Sequence, residues 1–145
     1  MKKFLTLLAV LAFTSPAFAT DKYASVDIDK VLKGYKKTDV INTTFQKREA
    51  EIRVFIVDAQ KKVVGATTEA ERKKLEDKYA NELKTKMEKL QKDKIAALQG
   101  LEKDVKAAID AEGKKGIYAL ILTSNNALYG AVDISDSIIK TLNSK

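Results

Sequence analysis

The sequence predicts an α+β chain: a small β-sheet body from which a long antiparallel helical hairpin protrudes as a coiled-coil-like arm. Three observations carry this. A period-two stretch follows the leader, two very long helical periodicities separated by a short turn fill the middle, and an apolar block closes the chain. No proline occurs after Pro16, so nothing interrupts the helices.

The first 19 residues read as a signal peptide. "MKK" is a short basic start, "FLTLLAVLAF" (4–13) is an apolar run, and "SPAFA" ends in the small-x-small pattern of Ala17 and Ala19. That run is well short of the roughly 18 apolar residues that span a bilayer. The expected product is a soluble, exported, periplasmic chain, Thr20–Lys145. Removing Lys2 and Lys3 leaves 25 cations against 20 anions, a net charge of +5.

"KYASVDID" (22–29) alternates Ala24, Val26 and Ile28 against Tyr23, Ser25 and Asp27, which predicts a strand. "VLKGYKK" predicts one or two helical turns ending near Gly34. Thr38 is suited to cap a helix over Asp39–Val64, with Gly65 as its stop. Thr68 and Glu71 match a capping box that opens a second helix, Glu69 to about Glu112. At 1.5 Å per residue the two helices reach roughly 39 and 66 Å. The short turn between them folds one back on the other. The extra length of the second, from about Gly100 onward, has to pack elsewhere. Gly100 is also a candidate soft point, costing about 1 kcal/mol relative to Ala in a helix.

"GIYALILTS" (116–124) and "ALYGAV" (127–132) flank Asn125–Asn126, which predicts a strand hairpin with 116–124 central and the opening strand as third member. Asp133 is suited to cap a closing helix carrying Ile134, Ile138, Ile139 and Leu142. The expected organisation is therefore signal peptide 1–19, body 20–37 plus 101–145, and hairpin arm 38–100. The expected body core and oligomer contact comprise Ala24, Val26, Ile28, Leu120, Ile121, Leu128, Val132 and Ile138. So small a body without disulfides favours self-association.

Catalytic chemistry is missing from the sequence. With neither cysteine nor histidine, the chain has no disulfide, thiol, zinc-type ligand set or imidazole catalyst. "GKKG" (113–116) lacks the spacing and the Ser/Thr of a phosphate loop. Asp27 and Asp29 at a strand end read as caps. Neither an enzymatic activity nor a cofactor or metal is expected.

What remains is the hairpin. Residues 47–94 hold 14 Lys/Arg and 10 Asp/Glu, +4 of the net +5. Leu75, Tyr79, Leu83, Met87 and Leu90 form one narrow stripe. Ile41, Phe45, Ile52, Phe55/Ile56, Ala59 and Val63 form the other, each wide enough for its partner alone. Val54, Val57 and Val64 fall off the stripes. Burial of one such side chain is worth roughly 1.5–3 kcal/mol, so their exposure is a standing cost. The run Val54–Val57 fits a β segment, a contact with another subunit, or a surface for a sticky guest.

"YASVDIDKVL", a proline-free basic hairpin and the closing block "GIYALILTSNNALYGAVDISDSIIKTLN" together resemble the Skp/OmpH family of periplasmic chaperones, over essentially the whole chain beyond the leader. The specific parts are residues 23–32 and 117–142. The resemblance implies a homotrimer whose bodies form a small β-sheet core and whose tentacle-like arms surround a cavity. Unfolded outer-membrane β-barrel proteins would be held there without ATP, with Val54, Phe55, Ile56, Val57, Val63 and Val64 as client-binding candidates. Some relatives are suggested to bind lipopolysaccharide or anionic lipid through basic residues; the densest basic cluster here is Arg72, Lys73, Lys74 and Lys78. The arm is short for the family.

Three rival readings remain. A nucleic-acid binder is weakened by export, by only three arginines (Arg48, Arg53, Arg72) and by the interleaved acids. A structural coiled-coil adaptor of the cell envelope would bind a folded partner. A surface-active protein would bind vesicles without a client.

Overall fold

The computed structural model describes residues 21–144; the signal-peptide reading of residues 1–19 lies outside them. Alternation in the opening segment produces β1 (Lys22–Val26), with Ala24 and Val26 buried. At its end the Asp27 carboxylate accepts the Lys30 backbone N–H at 3.0 Å and starts α1 (Ile28–Gly34). Two long helices follow, α2 (Lys36–Val64) and α3 (Glu69–Gly116), then β2 (Tyr118–Thr123), a 3₁₀ turn (Ser124–Asn126), β3 (Val132–Asp133) and α4 (Ser135–Asn143). No helix among the described residues is long and apolar enough to cross a membrane.

The sheet differs from the expected hairpin. Its order is β2-β1-β3, and both pairings are parallel, with Ala24 opposite Ile121 and Val132. Asn125–Asn126 belongs to a 3₁₀ turn, and residues 127–131 then carry the chain past β1 to its other side. β3 therefore lands on the far side of the opening strand instead of beside β2. Parallel neighbours need long crossovers, and the whole helical hairpin is the crossover from β1 to β2. The opening strand, not 116–124, is central.

The hydrophobic core lies where these strands meet α1, α4 and the end of α3. It gathers Ala24, Val26, Val31, Tyr35, Leu101, Val105, Ala108, Ile134, Ile138 and Leu142. Of the expected body-core residues, Ala24, Val26 and Ile138 are inside, and Ile28 and Ile121 pack on its margin. Leu120, Val132 and Leu128 are 48, 56 and 99% exposed, because nothing within the single chain covers the outer side of β2 or the 127–131 crossing.

α2 and α3 pack antiparallel: Arg48 pairs with Asp93 and Glu49 with Lys94. Their 29 and 48 residues give lengths of about 44 and 72 Å. α2 starts three residues before Asp39, so Thr38 lies inside its first turn and does not cap it. The cap is remote: Asn143 of α4 accepts the Lys36 N–H at 3.0 Å while donating to the Gly34 carbonyl at 2.8 Å. At the turn, Thr68 accepts the Glu71 N–H at 3.2 Å, but the returning Glu71 carboxylate takes the Thr67 N–H instead of that of Thr68. Past Glu112, α3 continues through both glycines of "GKKG" and ends at Gly116, capped by Ile117, whose φ of 53° is left-handed. The near-turn glycine, Gly116, leaves the room that the Tyr118 ring occupies, 2.0 Å from where a Cβ would stand.

Buried Glu112 accepts hydrogen bonds from the Ser137 and Thr141 hydroxyls, tying α3 to α4. Those two bonds, Ser137 first, hold its pKa below the usual carboxylate value against the opposing effect of burial. A lowered folded-state pKa contributes stability that is present above the unfolded value and is lost as pH falls through the folded one.

Two outcomes follow for stability. A Cβ at Gly100 meets nothing within 4 Å, whereas one at Gly34 would stand 2.7 Å from Ile139. Gly100→Ala should therefore stabilise by up to about 1 kcal/mol and Gly34→Ala should destabilise, read from urea midpoints at fixed protein concentration. Glu112→Ala should cost about 1–3 kcal/mol at pH 7. The gap between variant and parent should shrink as the pH is taken below the carboxylate range.

Candidate functional site

The α2/α3 hairpin closes on a narrow seam. Phe45, Ile52, Phe55, Ile56 and Val63 of α2 are half-buried against Tyr79, Leu83 and buried Leu90 of α3. The Phe55 and Tyr79 rings meet edge to face at 5.9 Å. A seam this narrow leaves two edges, and they are unlike.

One edge is charged. Arg48 reaches Asp93 at 2.9 Å and lies over the Phe45 ring, and the Lys86 ammonium sits 5.0 Å from the Phe55 centroid. Its small cleft, lined by Arg48, Glu51, Ile52, Lys86 and Lys89, is about 230 Å³.

Along the other edge run three apolar grooves. The first, about 700 Å³, opens where the hairpin meets the body, with Ile41 and Phe45 of α2 facing Leu98, Leu101 and Val105 of α3. A second, about 860 Å³, is lined by Ile52, Arg53, Met87, Leu90 and Ile95 among others. The third, about 350 Å³, lies towards the turn between Phe55, Ile56, Val63 and Val64 of α2 and Tyr79 and Leu83 of α3. Glu49 and Lys94 line both the first and the second, so their ion pair bridges the edge between these grooves. The hydrogen bond from Lys94 is the main reason the Glu49 carboxyl is held below its usual pKa.

The four consecutive apolar residues thus separate. Phe55 and Ile56 belong to the seam and, with Val63 and Val64, line the groove nearest the turn. Val57, 48% exposed, shares a helical row with Arg53, Gln60 and Val64 on that edge. Val54, 60% exposed, shares its row with Val40, Lys47 and Asp58 on the back of α2. The segment is helical throughout, which removes the β reading.

The basic candidates are not gathered on one face. Arg72, Lys73 and Lys74 are consecutive on α3 and fan out around it. Arg72 lies 3.5 Å from Glu69, and Lys78 lies near Glu82 and 5.6 Å from the Tyr79 ring.

Sequence periodicity placed Met87 in the seam and missed Ile95 and Leu98, all three about half exposed or more on the grooved edge. A signal existed. Leu83 and Leu90 already complete the seam at a spacing of seven, so Met87 is displaced from it, and Ile95 and Leu98 fall three apart beyond Leu90. The chain matches no protein-family model and no curated protein.

The division between seam and surface predicts separable effects on stability. Phe55→Ala should cost about 2–4 kcal/mol by removing a ring that both helices touch. Val54→Ser should stay within about 0.5 kcal/mol of the parent. Circular-dichroism melts of the two variants check this.

Proposed function

We propose that this protein is an ATP-independent periplasmic holdase that keeps unfolded outer-membrane β-barrel proteins from aggregating before they insert. The observation that carries the reading is the grooved edge: a line of partly exposed apolar side chains on a hairpin of net positive charge. A stable surface for a folded partner would be compact and fully coverable. A row of shallow separate grooves suits a chain that has no fixed shape. The resemblance to the Skp/OmpH family points the same way, and within this reading the hairpin is an arm.

Self-association belongs to the proposal. Tyr23, Ile117, Leu120, Leu128, Tyr129 and Val132 leave apolar surface on the body that one chain does not cover. A homotrimer joined through the bodies would cover it and place three arms around one cavity. The basic arms steer acidic clients inward. Grooves repeated on three arms hold by avidity, while each contact stays weak enough for the client to keep moving. Release follows when the client folds into the membrane.

The test is light scattering on dilution of a urea-unfolded outer-membrane barrel into protein lacking residues 1–19, without nucleotide. Scattering should vanish near one client per oligomer. Unhindered aggregation at large excess would sink the proposal and favour an adaptor with a folded envelope partner. Val57→Ser with Val64→Ser should raise the amount needed severalfold without changing the oligomer, whereas Val54→Ser should act like the parent.

A further inference from the structure

We infer that the middle groove, between Arg53 on α2 and Lys92 on α3, is a discrete subsite for an extended polypeptide segment in which apolar side chains alternate with carboxylates. The inference rests on the holdase reading and goes beyond it by naming the place, the backbone form and the charge pattern of the captured segment.

Shape comes first. At about 860 Å³ this groove is comparable with the one at the junction and larger than the one by the turn. Its floor is Ile52 and Leu90, and Met87 and Ile95, 51 and 48% exposed, stand along α3. Methionine adapts its unbranched side chain to different guests, which suits a floor that must accept more than one residue type.

Charge then selects. Two carboxylates line the groove, and both are engaged: Glu49 by Lys94, and Glu88 at 4.0 Å from Lys84. Arg53 and Lys92 take part in none of the ion pairs found among the described residues. The groove therefore presents an apolar floor with a cation on each helix beside it. In an extended segment successive side chains point to opposite faces, so one face enters the floor while the other stays out. Acids next to the buried residues then lie level with Arg53 and Lys92. A segment bearing lysines at those positions meets like charge on both sides.

The test uses two labelled ten-residue peptides, Phe alternating with Glu and Phe alternating with Lys, titrated by anisotropy into the protein lacking residues 1–19. The acidic peptide should bind about tenfold more tightly at low salt. Arg53→Glu with Lys92→Glu should reverse the preference and Met87→Ser should weaken the acidic peptide severalfold, whereas the charge-matched change Lys103→Glu with Lys140→Glu, at exposed positions outside the groove, should keep the acidic preference. Circular dichroism and sizing confirm that each variant folds and assembles as the parent does. If the parent holds an unfolded barrel but binds both peptides alike, or if the charge-reversed variant keeps the parental preference, the subsite is overturned and the holdase stands. If the parent fails to hold the barrel, both fall.

Discussion

The turns of α3 from Leu101 to Glu112 belong to two structures at once, and every other relation in the molecule depends on that continuity. Leu101, Val105 and Ala108 enter the core under the sheet, while Glu112 holds Ser137 and Thr141 of α4. Asp104, in the same turns, accepts the Tyr35 hydroxyl at 3.0 Å and the Lys37 ammonium at 2.6 Å at the start of α2. Burial, and then the Asp104 bond, raise the Tyr35 pKa, so the hydroxyl remains a donor across the neutral range. One helix therefore carries the body's core on one side and the entry of its hairpin partner on another. Asn143 closes the junction from the opposite direction by capping α2. No free linker joins the hairpin to the body: α3 runs unbroken from one into the other, and only Tyr35 separates α1 from α2.

How much of this was legible depends on whether the cause is local. The alternation in 22–26, the cap at Asp27, the turn at 65–68 and the lengths of the two helices are local, and the sequence displays them. The order of the sheet is not, because apolar strand residues such as Tyr118 and Leu122 pair as readily in either direction. The choice was made by the 3₁₀ turn and by the network in which buried Ser135 accepts the Asp27 N–H at 2.9 Å and donates to Asp133. The start of α2 was misplaced for a related reason: its cap arrives from a residue more than a hundred positions away. Periodicity likewise yields the seam but not its edges, since a stripe says which residues face the partner helix and not which flank collects the surplus. Val57 and Val64 on one side and Val54 on another are alike in sequence and separate only when the second helix is in place.

Exposed apolar residues along an edge carry a danger as well as a use. A continuous apolar strip tens of ångströms long would pair with its own copy before it met anything else. Here the strip is divided. Glu49 and Lys94 cross it between the junction and middle grooves, and Arg53 and Gln60 stand with Val57 and Val64 in the row that continues towards the turn. A second hairpin laid edge to edge on this one would have to desolvate those polar groups without returning their hydrogen bonds, which opposes stable pairing. A disordered chain escapes that penalty, because it can settle side chains into the grooves and arch over the charges between them. The interruptions that lower the affinity of any single contact thus also set what kind of partner can use the edge, and they favour one whose backbone is free to bend.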